Sequence, residues 1–152
     1  MAVYQIVEKG DEVLRLKAKK VEKITPNIEK LLDNLRDTLA NSETGVGLAA
    51  PQIGISKRAI VIDYDEDYYE VVNPEIISQE GQDTDTEGCL SVPGIIGEVT
   101  RAEKVTVKGL NRQGEEITIK AEGYLARIFQ HEIDHLEGVL FVDRAENIRK
   151  AE

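Results

Sequence analysis

Two histidines four residues apart, His131 and His135, enclose a glutamate in the run His131-Glu132-Ile133-Asp134-His135. On a helix, residues at this spacing lie about 40° apart, so both imidazoles can reach one ion. A carboxylate beside the first histidine can then move the protons of a water activated by that ion. The motif uses every histidine in the chain. Two ligands do not make a catalytic centre, and a third must come from a carboxylate or from Cys89, the only cysteine. Cys89 is the better candidate, because Glu87-Gly-Cys-Leu-Ser91 reads as a short glycine-containing turn between strands that can aim a side chain at a facing helix. Asp143 and Glu146 fall close behind the motif and are the fallback. With no third histidine or second cysteine, three ligands leave one position open, the mark of a catalytic rather than a closed structural site.

The element that carries this motif runs from about Tyr124 to Leu136 and stops at Gly138, a C-terminal cap. Leu125, Ile128, Phe129, Ile133 and Leu136 form its apolar face. At 100° per residue, Glu132 falls about 20° from Leu125 and about 40° from Leu136, inside the apolar arc. Burying an unpaired carboxylate is costly, so one placed there is paired, metal-linked or functionally retuned. An ordinary amphipathic helix with two half-exposed histidines leaves Glu132 unexplained.

The remaining elements must position that helix. A strand is expected near Tyr4 to Val7. Thr25-Pro26 starts a helix, with a hydroxyl cap and proline in the first turn, and Ile28, Leu31, Leu32, Leu35 and Leu39 form its core face as far as about Asn41. Gly45 to Gly54 is apolar but glycine-rich and reads as a tight loop, with Gln52 its only polar side chain. Ala59–Ile62, Tyr69–Val72 and Ile76–Ile77 read as short antiparallel strands separated by Asp-rich and Asn-Pro turns. Val99–Val107 and Ile117–Ile119 make a further pair across the turn Asn111 to Gly114, and Asp63 to Asp67 is a solvated turn. At 152 residues the chain reads as one domain, 1–152.

Composition excludes several classes. Hydrophobic residues at 41% and charged ones at 32% describe a soluble globular protein, and no apolar run approaches the length of a bilayer span. The start has neither signal-peptide nor transit-peptide character, so the cytoplasm is expected. A net charge of −10 without a basic stripe argues against nucleic acid and anionic membrane as ligands.

Three segments, Gly45-Val-Gly-Leu-Ala-Ala-Pro-Gln52, Glu87-Gly-Cys-Leu-Ser91 and Gln130-His-Glu-Ile-Asp-His-Leu-Glu-Gly138, resemble the motifs of the peptide deformylases in order and separation. The likeness covers nearly the whole chain, and the short spacing of the first two motifs resembles the shorter, type 1-like class. That resemblance implies an α+β fold, with short antiparallel sheets packed around a central metal-binding helix and an N-terminal amphipathic helix beside it. It implies removal of the formyl group from the N-terminal formylmethionine of newly made polypeptides in the bacterial cytoplasm, by a monomer. Cys89, His131 and His135 would hold one divalent ion, ferrous iron natively, with zinc, nickel or cobalt as replacements in purified protein. Glu132 would take a proton from water and later give one to the leaving amine, while Gln52 and the backbone N–H of Leu90 stabilise the oxyanion. Val46, Tyr124 and Ile128 match the methionine pocket, Arg127 its rim, and the backbone at Val46 and Gly47 would pair with an extended substrate.

Two other readings follow from the same residues. A cysteine hydrolase with Cys89 as nucleophile would leave Glu132 and one histidine idle. A metal-storage module would bind the ion without turnover.

Overall fold

The computed structural model describes residues 2–151. Its order is α1 (Pro26–Ala40), β1 (Gly47–Ala49), β2 (Ala59–Tyr64), β3 (Asp67–Glu80), β4 (Asp83–Cys89), β5 (Val92–Arg101), β6 (Lys104–Leu110), β7 (Glu116–Glu122), α2 (Gly123–Leu136), α3 (Phe141–Arg144) and β8 (Glu146–Lys150). The architecture is α+β. A five-stranded sheet has the order β1-β2-β3-β6-β7 and a three-stranded sheet the order β4-β5-β8, with every pair in both antiparallel.

α1 forms as its sequence requires. The Thr25 hydroxyl accepts from the Ile28 N–H, proline occupies the first turn, and Ile28, Leu31, Leu32, Leu35 and Leu39 are buried. They pack on Leu48, Ala50, Ile53, Val61 and Val72. α2 lies against the opposite face of the five-stranded sheet, where Ala126, Ile128, Phe129, Ile133 and Leu136 meet Ile60, Ile62, Val71, Val105 and Val107.

Four expectations are corrected. Tyr4 to Val7 forms no strand. Its backbone groups bond singly, Tyr4 N–H to the Thr38 hydroxyl and Val7 N–H to the Gln52 carbonyl, because no neighbouring strand runs alongside to form a ladder. Gly45 to Gly54 is not wholly loop. Gly47–Ala49 pairs with Ile60–Ile62 as an edge strand, and Ala50–Ile53 makes a single 3₁₀ turn. Low β-propensity is overridden there by burial against both helices.

β3 runs unbroken through Asn73-Pro74. The positive φ of Asn73 accommodates a bulge, and its side chain accepts from Val21 N–H and donates to Val21 C=O, both at 2.8 Å. Val99–Val107 is two strands in two different sheets. The crossing at Ala102 carries no Gly, Pro or Asn signal; it is held from a distance by Gln130 of α2, whose amide accepts from Ala102 N–H at 3.0 Å and donates to its C=O at 2.9 Å.

Candidate metal centre and substrate cleft

α2 is the element on which both histidines ride, and its apolar face fixes how deep they lie. Glu132 is 4% exposed and His135 1%. The placement of Glu132 inside the apolar arc therefore corresponds to real burial. Cys89 ends β4 in the three-stranded sheet and faces α2 across the gap between the sheets. Its Sγ stands 3.4 Å from His135 Nε2, and one ligand atom each from Cys89, His131 and His135 fall within 4.8 Å of one another.

Two N–H donors face the sulfur of Cys89. Ser91 N–H points at its sulfur at 3.4 Å and the Gln52 Nε2 amide at 3.7 Å. Gln52 is itself fixed on both sides: its Oε1 accepts from Ala49 N–H at 2.9 Å, and Nε2 donates to the Ser91 hydroxyl at 3.1 Å. Holding the carbonyl end on the backbone leaves the amide end aimed at the cysteine.

His131 is oriented by Glu87, whose Oε1 lies 2.9 Å from Nδ1. With Nδ1 engaged, Nε2 is the nitrogen left for an ion, the arrangement in which a carboxylate orients a ligating histidine. Glu87 is fully paired. Arg101 binds it through Nε at 2.8 Å and Nη2 at 2.9 Å, and Arg127 through Nη1 at 2.6 Å. Burial alone would raise the Glu87 carboxyl, but Arg101 and His131 hold it well below the usual carboxylate range. Arg101 goes on to Asp134 at 2.6 Å, and Asp134 to Arg144 at 2.7 and 3.0 Å. These roles of Glu87, Arg101 and Asp134 were missed from sequence. Glu87 lies within the segment Glu87-Gly-Cys-Leu-Ser91, but nothing local distinguishes it from a solvated glutamate.

Arg127 does not reach the rim. It is 3% exposed, and besides Glu87 it donates to the carbonyls of Val99 and Asp83, both at 2.8 Å. A buried charge pairs where partners exist, and Glu87 draws the guanidinium inward. The fallback ligands Asp143 and Glu146 are not in the cluster either. Asp143 forms a bidentate pair with Arg15, and Glu146 is exposed on β8.

Among the described residues, three buried side-chain atoms lack a hydrogen-bond partner, and two of them, Glu132 Oε1 and His135 Nδ1, belong to this cluster. Burial pushes the Glu132 carboxyl up to about 7 against the pull of neighbouring His131. A sulfur, two imidazole nitrogens and an adjacent unpaired carboxylate oxygen fit a borderline transition-metal ion and not the all-oxygen sites of magnesium or calcium.

The cluster opens into a cavity of about 430 Å³ lined by Val46, Gly47, Leu90, Ile96, Tyr124 and Ile128, among others. Tyr124 stands at its mouth, 44% exposed, with its ring 5.2 Å from that of Tyr64. Ile128 is buried at 4%. The outer edge of β1 borders the same cavity, because β1 ends its sheet.

The family model for polypeptide deformylase matches residues 3–151. The chain belongs to the polypeptide deformylase family. It is 65% identical over 148 residues to the peptide deformylase of Carboxydothermus hydrogenoformans, covering 97% of each chain. Among solved structures, the peptide deformylase of Thermotoga maritima superposes with a TM-score of 0.92 at 44% identity, over 96% of this chain and 99% of that one. The Synechococcus elongatus peptide deformylase, solved in complex with actinonin, gives 0.91 at 42% identity over 95% and 79%. Polypeptide deformylase membership accounts for the three sequence motifs at once, since all three converge on the one cavity.

Proposed function

We propose that the chain removes the formyl group from the N-terminal formylmethionine of newly made polypeptides, releasing formate, at the centre formed by Cys89, His131, His135 and Glu132. The observation that carries this reading is the convergence of the three ligand atoms within 4.8 Å beside the buried, unpartnered Glu132 Oε1. Cys89, His131 and His135 would hold one divalent ion, ferrous iron in the cell, replaceable by zinc, nickel or cobalt. When bound, such an ion supplies Lewis acidity, making water nucleophilic near neutral pH and polarising a carbonyl oxygen.

The chain's own residues supply the rest. Glu132 takes the proton of the attacking water and returns a proton to the departing amine, so a carboxyl retuned towards neutrality is suited to both directions. The Gln52 amide, held by Ala49 and Ser91, and the Leu90 N–H donate to the oxygen that becomes negative. Val46, Tyr124 and Ile128 surround an unbranched apolar side chain, and the free edge of β1 at Val46–Gly47 adds the peptide as a further strand. The protein works as a monomer in the bacterial cytoplasm without binding nucleic acid; its charge of −10 supports the last point, and no helix of the described residues is long and apolar enough to cross a membrane.

Anaerobic purification with metal analysis, followed by a formate-release assay on formyl-Met peptides, tests the reading. The expected result is about one iron per chain and metal-dependent formate release, both lost in Cys89→Ser, where a neutral hydroxyl replaces the thiolate. Activity that survives chelation but not alkylation of the thiol would point to a cysteine hydrolase, and stoichiometric metal without turnover to a storage module.

A further inference from the structure

β4 and β5 lose their common register at the site. From Asp83↔Arg101 to Glu87↔Gly97 the pairing is regular, and it resumes at Cys89↔Val92. Four residues of β5, Pro93 to Ile96, therefore stand opposite the single residue Gly88. They bulge out of the ladder, and Gly94, Ile95 and Ile96 of this bulge line the cavity across from Thr44 to Gly47. Gly88 sits beneath, where a Cβ would be in ordinary contact, 3.5 Å from both the Ile95 C=O and the Ile96 side chain.

A segment that has left one strand must satisfy its backbone elsewhere. β8 does this: Ile95 pairs with Lys150, Ile96 with Arg149, and Ala151 N–H donates to Gly94 C=O at 2.9 Å. Ala151 itself reaches the cavity wall. The docking is close, since a Cβ on Gly97 would stand 2.9 Å from that of Ala145. It is also anchored: Glu98 accepts from Asn147 Nδ2 at 2.8 Å and from Arg149 Nη1 at 2.7 Å.

We infer that β8 is part of the substrate-binding apparatus: it holds the bulged wall Gly94–Ile96 at the distance from β1 that grips the peptide following formylmethionine. This rests on the deformylase reading above. Among the described residues, the pairings and hydrogen bonds of β8 go to β5 and none to Cys89, His131, His135 or Glu132, so its effect falls on peptide affinity and not on the chemical step.

The test compares the parent with the double variant Asn147→Ala/Arg149→Ala, both exposed positions, and with a chain ended after Ala145. Formate release from formyl-Met-Ala-Ser, iron content and amide hydrogen exchange are measured on each. The expected result is a KM raised roughly tenfold with kcat within about twofold, iron unchanged, and faster exchange at residues 94–97. If the shortened chain does not fold, the double variant decides. Unchanged KM and unchanged protection at 94–97 would overturn the inference and leave β8 as an edge cover. A parent that releases no formate overturns the deformylase reading instead, and the exchange data still decide whether β8 holds the wall.

Discussion

The Glu132 carboxyl rests directly on the backbone of Gly47, so closely that a Cβ at Gly47 would stand 2.6 Å from Oε2 and 3.0 Å from Cδ. The edge strand that would receive the substrate and the group that would move its protons are therefore in van der Waals contact. No larger residue fits at Gly47 unless the carboxyl moves.

Gly47→Ala should consequently displace Glu132 without disturbing the three ligand atoms. We expect about one metal per chain, a thermal midpoint near that of the parent, and a kcat lower by roughly a hundredfold, since small displacements of a positioned group cost that much. Normal turnover in Gly47→Ala would show that the reaction does not depend on the close seat of Glu132 against Gly47.

Glu132→Gln keeps shape and volume but removes the basic oxygen. The variant should fold, retain its metal and lose several orders of magnitude in turnover. Metal content, thermal midpoint and formate release belong on one preparation, because a merely structural Glu132 would alter stability and spare the rate.

Gln52→Ala removes an amide that is anchored at its carbonyl end by Ala49 and bonded once through Nε2 to Ser91, keeping a second N–H to donate. The loss should appear in kcat, by roughly a hundredfold or more, with the fold and metal retained. A change confined to KM would place Gln52 in binding alone.

Glu87→Gln leaves the buried guanidinium groups of Arg101 and Arg127 without their shared anion. A cost of about 3–5 kcal/mol in stability is expected from breaking such a buried pair, with a roughly 10- to 100-fold drop in metal affinity as His131 loses its orienting partner. The pH dependence has a definite sign. The folded-state pKa of Glu87 is depressed, so its contribution is complete above the ordinary carboxylate range, about pH 4–5, and is lost as pH falls towards the folded value. Acid titration of the parent should show that loss, and Glu87→Gln should flatten it. Equal acid sensitivity in both would assign the transition to other carboxylates.

How far the sequence could be read differs by interaction range. α1 was legible to within a residue because its cap, proline and leucine spacing are all local. The gathering of Cys89, His131 and His135 was legible because the chain has so few histidines and cysteines, and the burial of Glu132 because helical periodicity alone places it. What escaped was made by distant partners. Gln130 turns the chain at Ala102, Asn73 carries β3 past a proline by bonding Val21, and Glu87 is buried by two arginines that lie 14 and 40 residues further on. Each looks like an ordinary polar residue until the fold supplies its partner. Arg127 was misplaced for the same reason: charge argued for the rim, and only the tertiary position of Glu87 reverses it.

Cys89 belongs to the three-stranded sheet, whereas His131 and His135 ride on a helix packed against the five-stranded one. An ion held by all three is thus a rivet through the seam between the two layers, and its binding free energy is added to their cohesion. With the ion so held, metal supply and mechanical integrity would be one equilibrium: a cell short of it would have, besides idle copies, looser ones, more open to proteases along that seam.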